Sequence, residues 1–206
     1  MKNILYTIIL SLLFSSAASA EIYKWVDDEG KVHYGEKLPN NATGKAVETI
    51  KTKDSVSADF QAGLDAYKKG DYATSLKIYR AAAEQGDIMA QFTLGGLYTS
   101  PGKFRRHGVT QDYKEAAKWF RLAAEQGEDI AQFMLGQIYR NGKGVTRNLV
   151  IAHMWFNLAA TNGDKKTREV AKKNMEAVAE QMTSEQITKA TELGRECILK
   201  FLKDCG

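Results

Sequence analysis

The sequence predicts an all-α chain, a right-handed α-solenoid of antiparallel helix pairs with a small N-terminal β-hairpin. Three observations carry this. GVTQDYKEAAKWFRLAAEQG at 108–127 returns as GVTRNLVIAHMWFNLAATNG at 144–163, a spacing of 36. Within these segments Ala116, Trp119, Phe120 and Ala123 recur at helical spacing, as do Leu94, Leu97 and Tyr98 upstream. Glycine is the chief punctuation, 17 residues against 2 prolines in a chain of 206, and much of it recurs at repeat-equivalent places. The 44% apolar content, 26% charge and mean hydropathy of −0.39 exclude disorder for most of the chain.

The elements follow in chain order. Met1-Lys2, the uncharged stretch from Ile4 to Phe14 and Ala18-Ser19-Ala20 have the pattern of a secretory signal peptide over 1–20. That run falls short of the roughly 20 residues that span a bilayer. The expectation is therefore a periplasmic or secreted protein with no membrane span after cleavage. Residues 21–39 alternate on a two-residue period, Ile22, Lys24 and Val26 against Tyr23, Trp25 and Asp27, before Asp28-Glu29-Gly30 and Lys31-Val32-His33-Tyr34; this is a hairpin signal. An isolated hairpin is marginal in water, so its aromatic residues require a surface to pack on, either the first helix or a third short strand. Residues 40–56 are polar and read as a linker.

A first, degenerate repeat unit covers 57–86, where DYATSLKIYRAAAEQG aligns with DYKEAAKWFRLAAEQG. The second, 87–127, and the third, 128–163, share AQFTLGGLY and AQFMLGQIY at an offset of 41, so five residues are inserted into the second unit's loop. Small residues at Gly95, Ala116, Ala123 and Ala124 let two helices approach, with Trp119 and Tyr98 as the large partners. Asp112 and Asn148 are the N-caps of the second helices, and Gly86, Gly127 and Gly163 stand where a left-handed C′ residue would end them. Residues 164–206 supply capping helices, one from Ala171 to Ala179 and one from Ser184 to about Leu202, the latter opened by a Thr183/Gln186 capping box. Cys197 and Cys205 read as one disulfide holding the last helix to its extension, or as two free thiols.

The pattern Leu135-Gly136, Tyr139, Gly142, Gly144-Val145, Ala152, Trp155, Ala159-Ala160 and Gly163 resembles the Sel-1-like repeat, a relative of the tetratricopeptide repeat. That resemblance implies helix-pair stacking and a binding scaffold. The hairpin pattern I-Y-K-W-x-D-x-x-G-x-x-H-Y, followed by Pro39, is similar to a short N-terminal domain of unknown function in exported bacterial proteins, which implies no activity.

Candidate chemistry is sparse. His33, His107 and His153 lie in different elements and form no zinc or triad pattern, no P-loop or dinucleotide fingerprint is present, and no cofactor or metal is expected. His153 reads as a surface or half-buried structural residue. Ser100-Pro101-Gly102-Lys103 fits S-x-x-K formally, but Pro-Gly breaks the helix that motif needs, so an enzyme on β-lactams or peptidoglycan is the weakest reading. A non-enzymatic scaffold for a protein or peptide is the leading one, through groove positions Leu64, Tyr67, Gln137 and Arg140 on the first helices. The inserted loop, Lys103, Phe104, Arg105 and Arg106, is expected to project as an auxiliary basic contact for an acidic partner or an anionic envelope polymer, not nucleic acid. A glycan or peptidoglycan module using Trp25, Tyr34 and the basic loop is the alternative.

Overall fold

The structure, a computed structural model, describes residues 57–200 and Cys205, together with the backbone of three short strands ahead of them. The signal peptide expected at 1–20 lies outside the described residues, as do the side chains of the strands, Trp25 and Tyr34 included. Strands β1 (Ile22–Val26), β2 (Val32–Gly35) and β3 (Glu48–Ile50) pair antiparallel in the order β2-β1-β3. Lys24 stands opposite Tyr34 on one side and Glu48 on the other, and β3 arises from within the segment read as a linker.

Among the described residues eight α-helices follow: α1 (Ala58–Lys68), α2 (Tyr72–Glu84), α3 (Ile88–Thr99), α4 (Tyr113–Glu125), α5 (Asp129–Asn141), α6 (Leu149–Asn162), α7 (Lys165–Ala179) and α8 (Ser184–Leu199). They pack as the hairpins α1–α2, α3–α4 and α5–α6, each stacked on the next. A polar side chain opens nearly every one. Asp112 accepts from the amides of Lys114 and Glu115, Asn148 from Ile151, and Thr183 and Gln186 form the reciprocal box. Asp164 accepts from Thr167 at 2.7 Å, which starts α7 well before Ala171, where sequence periodicity placed it. Such caps satisfy amides that no helix interior can pair.

Each hairpin closes through a glycine facing an aromatic ring. A Cβ on Gly95 would lie 2.6 Å from the Phe120 ring, one on Gly136 2.5 Å from Phe156, and one on Gly63 2.6 Å from Tyr79. The ring over the glycine is thus Phe120 and not Trp119, which is half-buried and packs back on the Leu76–Tyr79–Phe104 cluster. Gly86 and Gly127 end their helices at φ +90°, as the C′ reading requires. Gly163 does not: its φ is −72° and its ψ 163°, an extended conformation open to any residue. Space selects it instead, since a Cβ there would meet the Ala159 carbonyl oxygen at 2.6 Å and an Asp129 carboxylate oxygen at 3.0 Å.

The C-terminal helices close the stack. α7 lies on α6 and reaches α5, while α8 also packs on α6. Trp155, Phe156 and Met154 are consequently fully buried. Cys197 is joined to Cys205, with Cα atoms 5.1 Å apart.

Candidate partner-binding surfaces

The insertion after α3 becomes a 3-10 helix, Gly102–His107, entered through Pro101 and left through Gly108 at φ +83°. Its Phe104 is 4% exposed and belongs to the core. This corrects the expectation of a projecting tip. The ring stacks on Tyr67 at 5.8 Å and meets Tyr72 edge-on at 5.6 Å, a burial worth more to a phenyl group than exposure at a loop apex. The Lys103 ammonium lies 5.7 Å from the Tyr67 ring centre and 5.4 Å from that of Tyr72. A hydrogen bond with the Tyr72 hydroxyl pushes its pKa up. Tyr67, expected in the groove, and the loop, expected apart from it, therefore form one aromatic cluster. Arg105, Arg106 and His107 remain exposed.

Along the first helices, positions Leu64, Gly96 and Gln137 are repeat-equivalent, as are Tyr67, Thr99 and Arg140. Gln137 and Arg140 donate to one acceptor, the Asn174 side-chain oxygen of α7, at 3.1 and 2.7 Å. Asn174 is held for this by its own amide, which donates to the Val170 carbonyl at 2.8 Å. α7 thus engages the polar pair within the chain and closes the row at its C-terminal end. Leu64 stays half-buried. Around a Cβ built on Gly96 nothing lies within 4 Å.

Two roles are not evident from helical spacing, the first of which has a signal in the repeated AQF motif. The glutamine of each AQF motif is buried and donates to a carbonyl at the end of the preceding helix, Gln91 to Ala83 at 3.0 Å and Gln132 to Ala124 at 3.1 Å. Gln126 extends this by donating to Gln91 at 2.8 Å and to the Gly86 carbonyl at 3.1 Å. Each unit is so bonded to the one before it. Arg121 of α4 donates to the Cys205 carbonyl at 2.6 Å and to the Tyr139 hydroxyl of α5.

Ser100 terminates α3 while Lys103 rests over the two tyrosines. His153 is more enclosed than expected, 6% exposed, with its Nδ1 buried and without a partner. Burial pushes its pKa below the usual imidazole range. The folded chain then holds His153 neutral while the unfolded chain takes up the proton. Its contribution is intact above the unfolded value of about 6.5 and is lost as pH falls below it toward the depressed folded value. The melting temperature should drop over that window, and His153→Gln should flatten the drop; an unchanged pH profile in the variant would refute this.

Residues 60–87, 88–128 and 129–164 match the Sel1 repeat, so the degenerate first unit is matched with the other two. Residues 9–62 match a domain of unknown function, DUF4124. Among solved structures, the chain resembles c5321, a protective antigen present in uropathogenic Escherichia coli strains displaying an SLR fold, at 31% identity and a TM-score of 0.61. That match covers 74% of this chain and 32% of c5321, so the chain spans about a third of its length. A Sel1 repeat protein from Oxalobacter formigenes is 32% identical with a TM-score of 0.50, over 58% of this chain and 89% of that one. No curated protein matches.

Proposed function

Because the chain belongs to the Sel1 repeat family, whose members are generally non-catalytic protein-interaction scaffolds, we propose that it is an exported scaffold holding a peptide segment of a partner protein on its first-helix face. The segment lies over Gly96, between Leu64 and the Gln137–Arg140–Asn174 cluster. Gly96 is the observation that carries this reading. A glycine inside a helix costs about 1 kcal/mol relative to alanine, and its neighbour Gly95 has a packing reason for it. Gly96 has neither a left-handed backbone nor a close neighbour to require it. A bare stretch of helix surface kept at a cost to stability fits a surface that another chain approaches closely. The signal-like pattern at 1–20 and the Cys197–Cys205 disulfide support export to an oxidising compartment. Among the described residues no helix is long and apolar enough to cross a membrane.

Gly96→Ala should raise stability by about 0.5–1 kcal/mol, measured by denaturant titration. Gly96→Trp should fold equally well but block the partner. A photo-crosslinking residue at position 96 should trap a discrete set of proteins in cells, whereas one at exposed Leu122 of α4 should not. Equal trapping at both positions, or sedimentation with sacculi in place of protein adducts, would reject the groove.

A further inference from the structure

The second-helix side carries a different surface. Lys77 and Arg80 are exposed on α2, and with His107 of the 3-10 helix they line a cleft of about 480 Å³. Its floor is Leu76, 5% exposed, and Ala73 and Ala81 add methyl groups to the walls. The cleft is shallow and largely open to solvent. It suits two or three side chains, not a whole helix.

Charge in this region is unbalanced. Arg105 and Arg106 stand exposed in the same turn as His107, and Lys103 precedes them. Against these cations the two elements offer the carboxylates of Glu84, which also lines the cleft, and of Asp71, which caps α2. Asp71 is already engaged by the Thr74 amide, which lowers its pKa. Among the described residues no ion pair is formed by Lys77 or Arg80. The cleft itself is lined by two cations, Lys77 and Arg80, against the one carboxylate of Glu84.

We infer that this cleft between α2 and the inserted turn binds an acidic segment of a partner protein, its carboxylates on Lys77 and Arg80 and an aliphatic side chain on Leu76. The inference rests on the scaffold reading but uses the opposite set of helices. Unpaired cations at the rim of a shaped site accelerate and select anionic partners, and a guanidinium offers a carboxylate a two-pronged donor. A single-stranded nucleic acid is disfavoured because such strands are gripped by stacking on open aromatic faces. The neighbouring rings are already covered, Tyr67 by Phe104 and both tyrosines by Lys103.

The test is fluorescence anisotropy on the full chain with a short labelled peptide alternating glutamate and leucine, and with its glutamine counterpart. The glutamate peptide should bind saturably and weaken with salt. Lys77→Glu combined with Arg80→Glu should cut affinity about tenfold or more, with the thermal melt unchanged because both positions are exposed. Should the charge reversals perturb α2, Lys77→Gln with Arg80→Gln should show the same loss. Gly96→Trp should leave this binding intact, which separates a failure here from a failure of the groove. Equal binding of the two peptides, affinity retained in the double variant, or Arg80-dependent binding of heparin without binding of the peptide would overturn the inference.

Discussion

Gly95→Ala and Gly136→Ala should each lower the melting temperature steeply, while the adjacent Gly96→Ala raises it. One methyl group separates the three from the native chain. At Gly95 that methyl would lie 2.6 Å from a Phe120 ring carbon, and at Gly136 2.5 Å from Phe156, distances real Cβ atoms do not reach. Neither ring can retreat. Phe120 is 1% exposed with Phe92 packed 5.8 Å away, and Phe156 is fully buried with Phe133 at 5.6 Å. The helices must therefore separate, and interiors packed to crystal density transmit that displacement. Overpacking of this kind costs roughly 1–3 kcal/mol or more, a large share of a net stability of about 5–15 kcal/mol. At this chain length the loss corresponds to several degrees, about 2–4 °C per kcal/mol. Shrinking the ring should repair it: Gly95→Ala with Phe120→Leu should be more stable than the two separate losses sum to. A melt of Gly95→Ala within a degree or so of the native chain would disprove the glycine-on-ring account.

Opening the disulfide should be nearly as costly. Linking Cys197 to Cys205 closes a loop with a sequence separation of 8, for which the chain-entropy relation gives about 2–3 kcal/mol. What the link secures extends beyond the tail. Cys205 is 2% exposed, and its carbonyl is gripped at 2.6 Å by Arg121, which also binds the Tyr139 hydroxyl. The end of the chain so joins α4 and α5 of the repeats to α8 of the cap. Reductant should lower the melting temperature and increase amide exchange in α8. Arg121→Ala should also destabilise the chain, but less in the reduced protein than in the oxidised one, because the tail that presents the Cys205 carbonyl is then released. Unchanged melting with both thiols shown to be free would remove the tail from any role in stability.

The repeat architecture was readable because it depends on local spacing. A period of small residue, ring and glycine specifies a helix pair wherever it occurs, and the Sel1 resemblance rested on those positions. N-caps at Asp112 and Asn148 were equally legible, since a cap depends on residues three apart. Gly163 shows the limit. It occupies the repeat place of Gly86 and Gly127, yet its backbone is extended and space excludes a side chain there, the Ala159 carbonyl oxygen at 2.6 Å and the Asp129 carboxylate, 34 positions earlier, at 3.0 Å.

The candidate surfaces were less legible for the same reason. By sequence Leu64 and Gln137 share one helical position and Tyr67 and Arg140 another, but Asn174 holds two of the four and Phe104 covers a third. A basic insertion was visible; that its phenylalanine turns inward and its histidine joins Lys77 and Arg80 was not. Helical periodicity dictates which faces are apolar, and so it specifies which residues build each hairpin and that the hairpins must stack. Which faces remain open was settled by packing, because that depends on distances between helices far apart in the chain, and spacing within one helix carries no information about them.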